Sequence, residues 1–320
     1  MSSLDDEITS FINDSSCQNE ETFIKLNEDF EIPIYKSKND ESYIDTIVMS
    51  GGGIKGVAHL GVLKALELKG ILDNITTFAG TSVGSLIISL FVVGYSPKDL
   101  FDIVKSFDLE KMKNLSFSNI LTMYGLDNGK KIEYVIKKLI CAKQLSEDIT
   151  LSELYKITSK SLIITTTCLN SKETVYLSHK THPHLELHKA IRMSISIPII
   201  FTPVEYNGEY YIDGACIDNY PIHTFKDRID RVIGVYLGES TEYVDKIDNF
   251  ESYLLNMINC LMKGVTYNCI AGYEHKTIEL NLDDIGMNMV KFGISIDIKQ
   301  KMFNIGFNQA MEYLKKNKKR

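Results

Sequence analysis

Short apolar runs alternate with longer stretches of helical periodicity over most of the chain. Thr46 to Met49 is a short apolar run that predicts a strand, and Val57 to Lys69 has apolar residues at helical spacing. Ile75 to Ala79 repeats the strand pattern, and an apolar helical stretch then ends near Val93. Two strand and helix units in succession predict parallel strands that are joined by a helix.

The centre of the chain returns to strand patterns. Ser161 to Cys168 and Thr174 to Leu177 are rich in β-branched residues, and Arg231 to Leu237 predicts a further core strand. Glu205 to Tyr210 contains an Asn-Gly pair between two strand patterns. This pair predicts a hairpin whose second strand ends at Asp213.

Capping residues mark two helix starts. Ser96 to Asp99 combines a hydroxyl cap, a proline and an acid, and helical patterning continues from there to about Lys143. Thr150 and Glu153 have the spacing of a capping box. The alternation of strands and helices predicts an α/β fold with one mainly parallel sheet and helices on both of its faces.

Composition favours one main globular domain. The chain has 320 residues, of which 44% are hydrophobic, and this is enough for one large core. Residues 1–44 are rich in polar residues and predict an N-terminal polar arm. Residues 45–314 carry the strand and helix patterns, and residues 315–320 form a basic tail.

Charge and apolar patterning exclude several classes of protein. Lys and Arg total 35 against 42 Asp and Glu, a net charge of −7, so we expect no nucleic-acid partner. The opening residues lack the pattern of a signal peptide, and the most apolar window, Leu86 to Val93, is far shorter than the ~20 residues that span a bilayer. The six cysteines include no CxxC pair, so we expect reduced thiols and an intracellular protein.

Ser82 has the sequence context of a catalytic nucleophile. It is the central residue of Gly-Thr-Ser-Val-Gly at Gly80 to Gly84, between a predicted strand and a predicted helix. In a G-x-S-x-G turn the serine projects from a fixed position, and the amino end of the following helix favours negative charge. The alternative is an ordinary loop between a strand and a buried helix.

A glycine-rich loop precedes the Ser82 turn by one strand and helix unit. Neighbouring parallel strands place these loops side by side, so free N–H groups of Gly51 to Gly53 would face the Ser82 oxygen. With Gly56, the loop also fits the dinucleotide-binding pattern G-x-G-x-x-G, but the second strand lacks the expected terminal acid. A phosphate-binding P-loop is excluded, since Lys55 is not followed by Ser or Thr.

Asp213 is the candidate base. It follows the predicted hairpin and precedes Gly214, so a rigid strand end would present the carboxylate. Taken alone, Asp213 could equally be a turn residue that caps its own backbone. An α/β-hydrolase triad would instead combine Ser82 and Asp213 with His223 or His275, but too few elements separate the glycine loop from Ser82 for that fold. The other histidines are expected to be structural or surface residues: His59, His179, His182, His184 and His188.

Three motifs in the same order resemble the signatures of patatin-like phospholipases: Gly-Gly-Gly-Ile-Lys-Gly at 51–56, Gly-Thr-Ser-Val-Gly at 80–84 and Asp-Gly-Ala at 213–215. Ala58 to Leu63 is similar to the first helix of that family, and Ala190 to Pro203 is similar to its segment before the aspartate. The resemblance covers about Asp45 to Leu314.

This resemblance implies a three-layer α/β/α patatin-like sandwich with a mainly parallel central sheet. It also implies hydrolysis of fatty-acyl esters of lipids, with phospholipid as the expected substrate and no metal or cofactor. Ser82 and Asp213 would act as a catalytic dyad. Gly51, Gly52 and Gly53 would form the oxyanion hole.

Two positions depart from the family pattern. Met193 stands where the family often has alanine, and Ser196 stands where a small apolar residue is common, so the pocket is expected to differ in shape. The neighbouring Arg192 is expected to make an ion pair, either with the active-site loop or as a plain structural salt bridge.

The basic tail from Lys315 to Arg320 supports two alternatives. It could make transient contact with anionic lipid, or it could be the solvated end of a helix, where cations are favourable. A non-catalytic lipid-binding module also remains open as a function. Release of fatty acid from lipid would separate an enzyme from such a module.

Overall fold

The computed structural model describes residues 43–106, 117–238, 244, 246–248, 250–266, 269–285 and 294–317. The predicted N-terminal arm lies outside the described residues except for its last two, and so do the last three residues of the basic tail.

Within these ranges the chain forms ten β-strands and nine α-helices. The strands are β1 (Thr46–Met49), β2 (Thr77–Thr81), β3 (Gly125–Asp127), β4 (Ser161–Cys168), β5 (Glu173–Ser178), β6 (Ile199–Phe201), β7 (Val204–Tyr206), β8 (Glu209–Asp213), β9 (Val232–Leu237) and β10 (Thr277–Leu280). The helices are α1 (Val57–Leu68), α2 (Val83–Val93), α3 (Pro97–Ser106), α4 (Phe117–Met123), α5 (Lys130–Ala142), α6 (Leu151–Thr158), α7 (Leu187–Ser194), α8 (Phe250–Thr266) and α9 (Ile296–Asn317).

The central sheet is mostly parallel, as the sequence predicts. Its strand order is β10-β9-β1-β2-β4-β8-β7, and the first five strands run parallel. β8 is antiparallel to β4, and β7 is antiparallel to β8. β3 and β6 form a separate parallel pair, which we call the β3–β6 ribbon.

Two strands share one edge of β4 and meet end to end there. β5 pairs with residues 163–168 of β4, and β2 and β8 therefore both occupy the opposite edge. The last residue of β2, Thr81, is opposite Thr165, and the last residue of β8, Asp213, is opposite Thr166. Because β2 is parallel and β8 antiparallel to β4, their carboxyl ends converge on adjacent positions.

The sheet is buried on both faces. Ile47 and Phe78 belong to a large core that includes residues of α1, α2 and α9. Their chain neighbours Val48 and Ala79 belong to a smaller core with residues of the 3₁₀-helical segment Pro221–Arg231. This alternation is what strands covered on both faces require, and it gives the layered α/β architecture that was expected.

Most predicted elements are confirmed. β1 and β4 have the predicted bounds, and α2 ends at Val93. The Asn-Gly hairpin joins β7 to β8, with φ of 54° at Asn207 and 81° at Gly208. The capping box at Thr150 is present at the start of α6.

Some elements differ from the prediction. β2 begins at Thr77 rather than Ile75, because the Ile75 N–H donates to Leu72 O and closes a 3₁₀ turn. The helical pattern predicted to reach Lys143 is interrupted by β3. Residues 107–116 of that stretch lie outside the described residues. In the described part of the chain, no helix is both long enough and apolar enough to cross a bilayer.

Candidate active site

Ser82 stands at the turn between β2 and α2. Its backbone has φ of 51° and ψ of −125°, a conformation that residues other than glycine rarely adopt. The turn is also crowded: a Cβ at Gly80 would lie 2.8 Å from the carbonyl carbon of Gly84, and a Cβ at Gly84 would lie 2.6 Å from Met49 O. Gly80 therefore lets β2 and the start of α2 approach closely, and Gly84 lets α2 pack against the end of β1.

The convergence of β2 and β8 brings Asp213 directly to Ser82. The Ser82 hydroxyl donates to Asp213 Oδ2 at 2.6 Å, and the Ala215 N–H donates to Asp213 Oδ1 at 2.9 Å. Both side chains are buried. Burial raises the pKa of Asp213 to about 7, although the two hydrogen bonds oppose this rise. At neutral pH this carboxyl group therefore exists in both protonation states, in contact with the serine hydroxyl.

Ser194, the last residue of α7, connects the Ser82 turn to β4. The Ser82 N–H donates to Ser194 Oγ at 2.9 Å, and the Ser194 hydroxyl donates to Thr165 O at 2.6 Å. Thr165 immediately precedes Thr166, the residue paired with Asp213. Ser194 thus fixes the strained turn against the strand that positions both Ser82 and Asp213. The sequence offers no signal for this contact except that Ser194 falls in the family-like segment.

The glycine loop runs beside Ser82. A Cβ at Gly51 would lie 3.1 Å from Ser82 Cβ and 2.4 Å from Asn219 Oδ1. The Gly51 N–H donates to Asn219 O at 3.2 Å, so one of the three predicted donors already has an acceptor. Within the described ranges, no acceptor is paired with the N–H of Gly52 or Gly53. The loop therefore combines close approach to Ser82 with two available backbone donors.

Arg192 supports the segment that leads to Asp213. It is buried, and its guanidinium donates to Ser196 Oγ at 2.5 Å and to Thr202 O at 3.3 Å. Ser196 O in turn accepts the Asp213 N–H at 2.9 Å. The expected direct ion pair is not found among the described residues, where the hydrogen bonds of Arg192 go to neutral oxygens. Burial lowers the pKa of Arg192 to about 10, and the charges of Glu133 and Asp127 oppose this shift.

The two histidines that could complete a triad lie elsewhere. Ser82 bonds directly to Asp213, and no histidine stands between them. His223 is exposed, with Nε2 3.4 Å from the hydroxyl oxygen of Tyr176. His275 is also exposed. The geometry therefore favours a two-residue arrangement over a triad.

His59 is a buried structural residue. Its Nε2 lies 2.9 Å from Ser50 O, and because a carbonyl only accepts, Nε2 carries the proton. Burial lowers the pKa of His59 to about 4, so the ring is neutral at physiological pH. This bond anchors α1 to Ser50, the residue that precedes the glycine loop.

A polar cleft of about 370 Å³ lies at the other end of the strands from Ser82. Thr77 and Ser161, the first residues of β2 and β4, line it together with Arg228. Ser82 follows the other end of β2, so the cleft is not part of the candidate site. In the ranges that the structure describes, no group of three or more His, Cys, Asp or Glu residues could hold a metal ion.

Fold and site together correspond to one class of protein. The family model "Patatin-like phospholipase" matches residues 47–226, which begin in β1 and include Ser82, Asp213 and the glycine loop. The chain therefore belongs to the patatin-like phospholipase family. This result leaves the dinucleotide-binding alternative without support.

Individual relatives extend over nearly the whole chain. The chain is 30% identical to the uncharacterized protein R571 of Acanthamoeba polyphaga mimivirus, over 87% of this chain and 96% of that one. It is 28% identical to the probable lipid hydrolase 463L of Invertebrate iridescent virus 6, over 93% and 98% of the two chains. The crystal structure of VipD from Legionella pneumophila shares the fold with a TM-score of 0.61 and 18% identity, over 86% of this chain and 67% of VipD.

Proposed function

We propose that this protein hydrolyses fatty-acyl esters of lipids, with phospholipids as the main substrates, through an acyl-enzyme on Ser82. The observation that carries the proposal is the 2.6 Å hydrogen bond from the Ser82 hydroxyl to the buried carboxyl group of Asp213. A serine is a weak nucleophile unless an adjacent base takes its proton, and this contact supplies that base without a histidine. Family membership and the relative named as a probable lipid hydrolase support lipid as the substrate class.

In the first half-reaction, Asp213 as a carboxylate accepts the Ser82 proton while Oγ forms a bond to the acyl carbon. The electron pair of the carbonyl double bond moves onto its oxygen. The tetrahedral intermediate then collapses, the bond to the leaving alkoxide breaks, and Asp213 returns the proton to the departing oxygen. The products are a free alcohol, such as a lysolipid, and acyl-Ser82.

In the second half-reaction, a water molecule attacks the acyl carbon and gives a proton to Asp213. Collapse of the second intermediate breaks the bond to Oγ, which takes the proton back as the fatty acid leaves. A base that donates and accepts in turn works best with a pKa near the operating pH. The pKa of Asp213, raised by burial to about 7, meets that condition.

The glycine loop supplies the oxyanion hole in this proposal. The N–H groups of Gly52 and Gly53 are the donors to the developing oxyanion, because the N–H of Gly51 already binds Asn219 O. Gly51 leaves space beside Ser82 because it has no side chain: a Cβ there would lie 3.1 Å from Ser82 Cβ. Donors fixed before the reaction stabilise the transition state more than mobile water does.

Product analysis with site variants tests this function. Mixed phospholipids and neutral glycerides are incubated with protein, and released products are identified by mass spectrometry. Ser82→Ala and Asp213→Asn should each lower the rate ~10³-fold or more, since each removes one half of the dyad. The matched control is Ser89→Ala, on α2, the helix that begins directly after Ser82. The buried Ser89 hydroxyl has no hydrogen-bond partner among the described residues, so the rate should be retained.

The outcomes separate the alternatives. Fatty acid with lysolipid supports the proposal, whereas products from glycerides alone would change the substrate class. Lipid binding without any product would indicate a non-catalytic lipid-binding module. Full activity in Ser82→Ala would remove Ser82 from the mechanism.

A further inference from the structure

The two helices attached to the β3–β6 ribbon present large apolar side chains to solvent. We call these side chains the apolar cap surface, and they are Leu121, Tyr124, Phe250, Tyr253, Leu261 and Val265. We infer that this surface docks on the surface of a phospholipid bilayer and delivers the site to its substrate. The inference rests on the proposed function, because it names where the lipid substrate is taken up.

The apolar stripe of α8 is covered over only part of the helix. Leu254 and Ile258, four residues apart, are buried. Phe250, Leu261 and Val265 lie four or seven residues from these two and continue the same stripe, but they are exposed. The 17 residues of α8 include two charged residues, Glu251 and Lys263. A surface helix normally buries its apolar stripe, whereas α8 leaves both ends of its stripe exposed to solvent.

α4 also has large apolar side chains exposed to solvent. The helix Phe117–Met123 contains no charged residue. Leu121 is 87% exposed, the largest value among the large apolar side chains of the described chain, and Tyr124 is 64% exposed. Isolated exposed apolar residues are common, but exposed apolar residues on two helices that pack on the same ribbon are characteristic of an interaction surface.

Both helices connect to the candidate site. α8 contacts the turn Gly214–Cys216, which directly follows Asp213, and Ile258 packs on Phe201 of β6. α4 packs on β3, the partner strand of β6. The next residue after the turn, Ile217, is also exposed. The apolar cap surface is thus carried by helices on the same ribbon, and one of them, α8, contacts the turn next to Asp213.

A bilayer fits this surface better than a folded partner does. The exposed side chains lie on α4, which has no charged residue, and on α8, which has two among 17 residues, so the surface offers few ion pairs to a folded partner. Lipid tails and headgroups adapt to the surface that meets them, and Phe, Tyr and Leu are residues with which interfacial helices enter a bilayer. Ser82 is itself buried, so an acyl chain that enters from a docked bilayer avoids passage through water.

The test compares vesicle binding in charge-introducing variants of the full chain. Leu121→Asp and Leu261→Asp each remove an apolar contact and add a charge. The control is Ile157→Asp, which changes a side chain of similar exposure, 62%. Ile157 lies on α6, and Tyr155 of the same helix lines the polar cleft at the other end of the strands from Ser82. Binding to phosphatidylcholine vesicles, with and without phosphatidylserine, is measured by flotation, and hydrolysis is measured on the same vesicles and on a soluble short-chain ester.

Leu121→Asp and Leu261→Asp should each bind vesicles about tenfold more weakly than the unmodified chain. The rate of vesicle hydrolysis divided by the rate of soluble-ester hydrolysis should fall by a similar factor. Ile157→Asp should match the unmodified chain. Unchanged binding in Leu121→Asp and Leu261→Asp, with unfolding curves that show folded protein, would overturn the inference. Sedimentation that shows a dimer split by Leu261→Asp would also overturn it and assign the surface to a second copy.

Ser82→Ala separates this inference from the proposed function. It leaves the apolar cap surface unchanged, so it should float with vesicles like the unmodified chain while it fails to hydrolyse either substrate. Vesicle binding with retained hydrolysis in Ser82→Ala would contradict the proposed mechanism and leave the docking surface supported.

Discussion

Asp213 has the electrostatic environment of a base that titrates near neutrality. Its pKa is raised to about 7 because burial disfavours the charged form, and the bonds from Ser82 and Ala215 only partly offset this. Only the ionised carboxylate can take the Ser82 proton. In the proposed mechanism the rate should therefore rise with pH up to about 7 and then level off.

A pH series of kcat/KM on a soluble ester measures this rise of the rate with pH. Its midpoint reports the free enzyme, which is the state that the structure shows. A profile that stays flat from pH 5 to pH 9 would contradict the assignment of Asp213 as the base.

Ser194 should act as a positioning residue. Ser194→Ala removes the acceptor of the Ser82 N–H and the donor to Thr165 O, so the strained turn loses its fixed orientation. We expect kcat to fall roughly 10- to 100-fold with KM nearly unchanged, because ground-state binding of substrate does not depend on this contact. An unchanged kcat with a lower thermal midpoint would show that Ser194 contributes only to stability.

At this scale the sequence predicts residues whose chemistry is tied to a local pattern. Ser82 is marked by flanking glycines that a tight turn needs, and Asp213 is marked by the hairpin before it and Gly214 after it. No comparable local sequence pattern identifies Ser194 or Asn219. Their roles arise from contacts with segments that are distant in sequence; the Ser82 to Ser194 bond, for example, joins residues 112 positions apart.

At the scale of elements, the predictions succeeded where the chain has a clear local pattern. β4 has eight residues and a clear β-branched pattern, so its bounds were predicted. β3 and β6 have three residues each, which is too short for a period to appear, and they are strands only because they pair with each other.

The contact between α1 and α9 depends on paired glycines. A Cβ at Gly61 would lie 2.0 Å from Phe303 O, and a Cβ at Gly306 would lie 2.0 Å from Ala58 O. Gly61→Ala should therefore destabilise the protein by about 1–3 kcal/mol, because the helices must separate to admit the methyl group.

Gly264→Ala in α8 is the matched control. Nothing lies within 4 Å of a Cβ at Gly264, so alanine should be neutral or stabilise the helix by up to ~1 kcal/mol. Chemical denaturation measures both free energies of unfolding. Equal values for the two variants would contradict the close backbone contact between α1 and α9.

At the scale of the whole molecule, the proposed base lowers the stability of the fold. The folded pKa of Asp213 is about 7, above the ordinary value of 3.8, so the folded state holds a proton that the unfolded chain releases. Stability is therefore lost as pH rises from about 4 to about 7 and stays low above that range. Asp213→Asn should remove this loss, on the order of a few kcal/mol at pH 8 and close to zero at pH 4.

Thermal midpoints of the unmodified chain and of Asp213→Asn, measured from pH 4 to pH 8, test this pH dependence of stability. Glu173→Gln neutralises an exposed carboxylate on β5 and serves as the control. A midpoint difference between Asp213→Asn and the unmodified chain that does not grow with pH would contradict a raised pKa at Asp213.

The end-to-end meeting of β2 and β8 on β4 has a consequence for synthesis. Ser82 and Asp213 are 131 positions apart, and they come together only when β8 pairs with β4. A nascent chain that has exposed only its first two hundred residues carries the serine without its acid. The proposed dyad can therefore assemble only in the later stages of translation, when most of the polypeptide has also emerged.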